Sequence, residues 1–196
     1  TTLATLAIGV PAGYAFARGR FVGRWFLGGW LLFSRMMPPV IFIIPLFLFF
    51  NRLGLTNTYL GLVLAYMTGL LPFTVWMCAG YFEDIPQEIE EAARVDGASR
   101  MRAFVTVVLP LALPGVATGS MLVFILLMGD YILPQYLGGG KVFFIGNALV
   151  DLFLQSRNWP FGAAVSVALV AIMFVTIFFY MRFVLGKTDT RRAALV

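Results

Sequence analysis

The sequence predicts an all-α membrane protein, a polytopic helical bundle, on three observations. The first is composition: 61% of the 196 residues are hydrophobic and only 12% are charged, with a mean hydropathy of +0.92. A soluble domain of this size carries about 25% charge and could not hide so much apolar surface in one core. The second is length, because the apolar runs approach the roughly 20 residues that a helix needs to cross a bilayer. The third is the lack of period-2 alternation, which argues against a barrel, the one other fold that satisfies its backbone in lipid.

Five stretches are apolar enough to span, at about 1–17, 25–50, 58–82, 112–137 and 161–185. Pro11, Pro45, Pro72, Pro114 and Pro134 fall inside them, and each removes a helix hydrogen bond. Adjacent Pro38 and Pro39 predict a break in the second run. Arg35 lies near that break, where a cation must face protein or water, and it could satisfy carbonyls that the break frees. A substrate role for Arg35 is the alternative.

Charge orients the bundle. Arg18, Arg20, Arg24, Arg94, Arg100, Arg102, Arg182, Lys187, Arg191 and Arg192 share one side, against Arg52, Lys141 and Arg157 on the other. The richer side is expected to be cytoplasmic, with the C-terminus on it. The chain then starts outside, and parity, together with an opening at Thr1 inside a hydrophobic run, predicts a missing N-terminal span.

Histidine is absent and Cys78 is the sole cysteine, so His-based metal sites, triads and intrachain disulfides are excluded. No Gly-x-x-x-x-Gly-Lys-Ser/Thr loop occurs, so this chain is not itself an ATPase, and no metal or cofactor site is expected in it. The net charge of +5 is that of membrane loops and does not indicate nucleic acid.

Segment 83–112 is the polar exception between greasy runs. Asp84-Ile85-Pro86-Gln87 has the form of a helix start, with Asp84 as cap. Ile85, Ile89, Ala92 and Ala93 recur on one helical face, and Glu88, Glu91 and Arg94 on another. Asp96-Gly97 predicts a stop. Ser99 can cap a second short helix carrying Met101, Phe104, Val105 and Val108, with Pro110 and Pro114 bracketing re-entry into the membrane. Six acidic residues (Glu83, Asp84, Glu88, Glu90, Glu91, Asp96) suit a basic protein partner better than an anionic leaflet. On the opposite side, segment 138–160 holds an apolar run too short to cross, which fits an interfacial or re-entrant helix entered through Gly138 to Gly140. Trp159 beside Pro160 suits the headgroup level.

The run Glu91-Ala92-Ala93, Gly97, Val107, Leu109-Pro110 resembles the signature loop of the membrane-spanning permease subunits of bacterial binding-protein-dependent ABC importers, the MetI-like family. The family pattern is EAA, three residues, Gly, nine residues, an apolar residue, one residue and Leu-Pro; Val107 replaces the usual Ile. Segment 10–90 is similar to the sugar-importing branch, and segment 125–165 to the spermidine/putrescine branch. Gly129-Asp130-Tyr131 stands where the sugar branch carries Trp-Asn-Glu-Phe, which weighs against a sugar.

The resemblance implies an importer permease of about six spans in the bacterial inner membrane. It implies pairing with a second permease, homo- or heterodimeric, over a dimer of ABC ATPase subunits that bind ATP and Mg. An extracytoplasmic solute-binding protein would deliver the substrate. Glu90, Glu91, Ala92, Ala93, Asp96, Gly97, Leu109 and Pro110 would form the ATPase-coupling element, with Glu91 meeting a basic residue there. Asp130, Tyr131 and Arg35 are candidates for the substrate pathway; Asp130 would attract a cation, a water-exposed helix end or pairing with a nearby Arg being the alternative. Tyr136, Phe143 and Phe144 could line an outer cavity, lipid or core packing being the alternative. Rival readings are an ion-coupled secondary transporter, for which only Asp130 is available, and a membrane enzyme, which lacks the required groups.

Overall fold

A computed structural model describes residues 1–139, 141, 142 and 144–182. Lys187, Arg191, Arg192, Gly140, Phe143 and the end of the fifth apolar run lie outside the described residues. Nine helices follow one another among those described: α1 (Thr2–Arg18), α2 (Arg24–Met36), α3 (Pro39–Arg52), α4 (Tyr59–Glu83), α5 (Gln87–Val95), α6 (Arg100–Met128), α7 (Ile132–Leu137), α8 (Ile145–Gln155) and α9 (Trp159–Tyr180). No strand occurs among the described residues, as the lack of alternation predicts.

The long helix α4, 25 residues and roughly 37 Å, is the axis of the molecule. Two stripes of small residues bring its neighbours close. On α1 the stripe is Thr5, Gly9, Gly13 and Ala17, one residue per turn, all buried. A Cβ on Gly9 would lie 2.6 Å from Thr74 Cγ2, and one on Gly13 would lie 2.7 Å from Cys78 Cβ. On α6, Gly115 lies so close to the Tyr81 ring of α4 that a Cβ would overlap it, and Gly119 is in ordinary contact with Met77. In lipid there is little hydrophobic drive between helices, so close backbone approach through such stripes carries the packing. Lone Cys78 is a buried packing residue, as its apolar setting predicts.

Two buried clusters sit at the ends of α4. One, at the α5 end, joins Val10, Ala17, Cys78, Phe82, Phe104 and Val108. The other joins Phe50, Leu62, Tyr66, Val123, Leu137 and Val142.

The count of five spans is not carried by the structure. Three helices are long and apolar enough to cross alone: α4, α6 and α9. A fourth is reached if α2 and α3 form one broken span, bent by 102° at the Met37–Pro38 break that the paired prolines predict. Helix α1 has 17 residues, about 25 Å. Hydropathy registers composition along the chain and is blind to where a helix bends or stops.

The fourth run is redrawn as well. Instead of a short helix and a span at 112–137, α6 is continuous from Arg100 to Met128. Residues Phe104–Val108 form a wide π turn in which Leu109 N–H donates to the Phe104 carbonyl, five residues back. That turn accommodates the Pro110 ring, so the helix runs on through the expected point of re-entry. It ends at Gly129, where the Asp130 carboxylate accepts the Ile132 N–H and starts α7.

Candidate functional site

The site is built at the end of α4 where the polar segment leaves the bundle. Helix α4 runs one residue past Phe82 to Glu83, and Asp84 becomes its C-cap, its N–H donating to the Gly80 carbonyl. Asp84 therefore does not cap α5, contrary to expectation; Pro86 holds that position, with no side-chain cap. After nine helical residues Asp96 closes α5, and Gly97 follows at φ +89°. This left-handed turn is the stop read from the sequence, and glycine adopts it without the Cβ penalty. Ser99 caps α6 by accepting the Arg102 N–H.

The rotation of α5 about its own axis could not be read from the pattern. An amphipathic helix normally turns its apolar stripe inward. Here Ile89 (41%), Ala92 and Val95 (87%) are exposed beside Glu88, Glu91 and Asp96. Glu90 instead is buried, at 8% exposure. Its Oε1 accepts the Tyr14 hydroxyl at 2.5 Å, and its Oε2 lies 3.4 Å from Arg18 Nε. Arg18 also donates to the Ile85 carbonyl at 2.6 Å, so one guanidinium ties both the α4–α5 linker and α5 itself to α1. The Tyr14 ring packs against Phe82 and Phe104, which hold it in place. Tyr14 and Arg18 lie four apart on one face of α1, a spacing that could have drawn attention to them. Nearby, Arg24 and Glu83 form an exposed pair at 2.8 Å, of a kind that contributes little.

Among the expected coupling residues, Glu91, Ala92, Asp96 and Gly97 are exposed and Ala93 is half-buried. Glu90 faces the bundle, and Leu109 and Pro110 sit half-buried within α6, directly after the π turn. Met101 and Val105 at the start of α6 are exposed as well.

The opposite end gathers the other candidates. Asp130 is half-buried, with one oxygen on the Ile132 N–H and the buried Tyr66 hydroxyl beside its carboxylate. Tyr131 is exposed. Phe144 stacks on Tyr66 at a centroid distance of 6.2 Å, which assigns it to packing; Tyr136 is exposed. Asn147, 2% exposed, was not singled out from the sequence, yet it knots this end together. Its amide donates to the Tyr131 carbonyl and to Gln135, each at 3.1 Å, while its oxygen accepts the Phe144 N–H. The Arg35 guanidinium lies 4.5 Å over the Phe73 ring, a cation–π contact where freed carbonyls were expected. The described residues contain no group of three or more His, Cys, Asp or Glu that could hold a metal.

The model of the family described as the inner membrane component of binding-protein-dependent transport systems matches residues 9–187. The chain belongs to that family. The resemblance drawn from Glu91 to Pro110 is thereby borne out, and the chain is a transport permease component with no ATPase site expected of it. It is 35% identical over 195 residues to the trehalose transport system permease protein SugB of Mycobacterium tuberculosis, covering 96% of this chain and 71% of that protein. It is 40% identical over 126 residues to the spermidine/putrescine transport system permease protein PotB of Haemophilus influenzae, covering 64% and 44%. A putative ABC transporter permease, ORF1, of Streptomyces antibioticus is 40% identical over 131 residues, covering 67% and 57%. The chain thus covers from 44% to 71% of the length of these relatives. Among solved structures, the permease fold recurs in the inward-facing MetNI methionine ABC transporter, at a TM-score of 0.76, 23% identity and coverage of 94% and 88%. It recurs also in a bacterial ABC transporter involved in the import of the polysaccharide alginate, at a TM-score of 0.67, 23% identity and coverage of 94% and 69%.

Proposed function

We propose that this permease lines the translocation pathway of an ATP-driven importer and receives its stroke through α5. The observation that carries the reading is the outward face of α5: apolar Ile89, Ala92 and Val95 flanked by Glu88, Glu91 and Asp96, standing clear of the bundle. An apolar stripe edged with acid fits a cleft with basic walls on a separate ATPase subunit, two of which would serve a pair of permeases. Segment 83–112 is then the coupling loop, in the cytoplasm with the C-terminus, and 138–160 is the outer segment that meets the solute-binding protein. ATP and Mg bind the ATPase and not this chain. A partner can shift the permease between inward-open and outward-open states only by its differential affinity for them. The α5 face must therefore be gripped differently in the two.

The substrate is a sugar or a polyamine-like cation. The near full-length match to a trehalose permease supports the first, and Asp130 at the outer end supports the second. The test is reconstitution of the permease with its cognate ATPase and binding protein. Glu91→Lys should leave membrane insertion intact and abolish both ATPase co-purification and coupled uptake; undiminished uptake refutes the assignment. In the same vesicles, Asp130→Asn should lower uptake of a polyamine and leave uptake of a disaccharide unchanged, which separates the two substrate classes.

A further inference from the structure

The rotation of α5 runs against its own amphipathicity. Its apolar residues Ile89, Ala92 and Val95 face water, while an acidic residue, Glu90, is turned into the bundle. Left to burial alone, α5 would roll by about one residue step, 100° of helix rotation, and tuck Ile89 and Ala92 against α6. Something has to hold it the other way. The groups that reach Glu90 both come from α1: the Tyr14 hydroxyl at 2.5 Å and the Arg18 guanidinium at 3.4 Å. One carboxylate oxygen accepts a hydrogen bond and the other meets Arg18 Nε as an ion pair without a hydrogen bond; the side chains of Arg18 and Glu90 are only 12% and 10% exposed, and Arg18 has a second hold on the Ile85 carbonyl.

We infer that Glu90, Tyr14 and Arg18 form a rotational lock that sets which face α5 presents. Glu90 is thus a positioning residue and not itself a contact for the ATPase. This deepens the coupling reading above and rests on it for its consequence, though not for its geometry. Adjacent residues of a helix point 100° apart, so pinning Glu90 inward obliges Glu91 to point outward. Because α1 is seated along α4 through Gly9 and Gly13, the lock also joins α5 to that pair. A displacement of α5 is then passed into α1 and α4, and is not dissipated by bending the linker at 84–86.

The lock can be tested on the permease alone, in detergent or nanodiscs, by the rate at which single cysteines react with a membrane-impermeant maleimide. The native Cys78 is buried at 1% exposure and gives little background. In the parent, Val95→Cys should react fast and Ala93→Cys slowly. Adding Tyr14→Phe and Arg18→Met leaves α5 untouched but strands the Glu90 charge, which must escape to water. The Val95→Cys rate should fall about tenfold and the Ala93→Cys rate should rise, the tenfold corresponding to about 1.4 kcal/mol. Adding Glu90→Met to that background puts an apolar side chain at the same place, and should restore the parental rates, which a loss of folding could not explain. Should the Tyr14→Phe, Arg18→Met variant not fold, Glu90→Ala combined with Arg18→Met removes the ion pair as a unit and leaves no lone charge buried, and the same reversal is expected. Unchanged rates in the variant that folds, or no restoration by Glu90→Met, overturn the lock. If the reversal is seen while wild-type permease binds no ATPase, the coupling reading fails and the lock stands. Conversely, parental rates in the unlocked variant alongside normal uptake defeat the lock and leave the coupling reading intact.

Discussion

Gly13 is where the packing of α1 on α4 can be tested most directly. Replacing it with alanine would put a Cβ 2.7 Å from Cys78 Cβ and 3.1 Å from both the Ala79 nitrogen and the Val75 oxygen. Carbon atoms prefer about 3.5–4.0 Å, and two of the three neighbours are helix backbone that cannot swing aside, so α1 must retreat from α4 by about 1 Å. Overpacking of this kind costs about 1–3 kcal/mol, offset by the roughly 0.5–1 kcal/mol that alanine gains over glycine inside a helix. The net is a loss of about 1–2 kcal/mol. Gly80, on the same helix α4, is the control: a Cβ there meets nothing within 4 Å, so Gly80→Ala should keep the helix gain and lose nothing. The two variants should differ by about 2 kcal/mol, which for a chain of this size is about 4–8 °C in Tm. Thermal unfolding of the purified protein in one detergent reads the difference. Equal melting temperatures would falsify the close approach of α1 and α4, and with it the seat on which the Glu90 lock depends.

Three further outcomes are expected. At Gly97 the φ is +89° and a Cβ would meet nothing, so the cost of substitution is backbone strain alone, about 1–2 kcal/mol for a β-branched residue. Gly97→Val should reduce coupled uptake about 5- to 30-fold while Gly97→Asn, which tolerates the left-handed turn, stays near parental; equal losses would mean strain is not the cause. Asn147→Leu strands the Phe144 N–H, the Tyr131 carbonyl and Gln135, a loss of about 1–3 kcal/mol. Hydrogen exchange across α7 and α8 should accelerate accordingly, with α5 unaffected. Tyr180→Phe removes a hydroxyl that bridges Thr118 and the Pro114 carbonyl across α9 and α6. Membrane hydrogen bonds average about 0.6 kcal/mol, so its melting temperature should drop by no more than a few degrees.

Much of the site was legible because its signals are local. Gly97 stops α5 through its own φ, Ser99 caps α6 through an N–H three residues on, and the pair Pro38 and Pro39 breaks a helix wherever it occurs. The spacing from Glu91 to Pro110 was likewise enough to place the chain in its family. Other features depended on contacts far apart in sequence. Asp84 read as a cap until α4 extended to claim it, and Pro110 read as the edge of a separate span until a π turn upstream let one helix run through it.

The sequence by itself determined the solvent, the helical class and the family, since hydropathy, proline and glycine act on their own neighbourhood. Only the tertiary structure decided where the helices bend and stop and which way α5 is turned. The apolar pattern of α5 favours burial of Ile89 and Ala92. That preference is overridden by one ion pair and one hydroxyl, and the hydrogen bond from Tyr14 to Glu90 joins residues 76 positions apart. A rotation fixed from that distance leaves no periodic mark on the helix it turns.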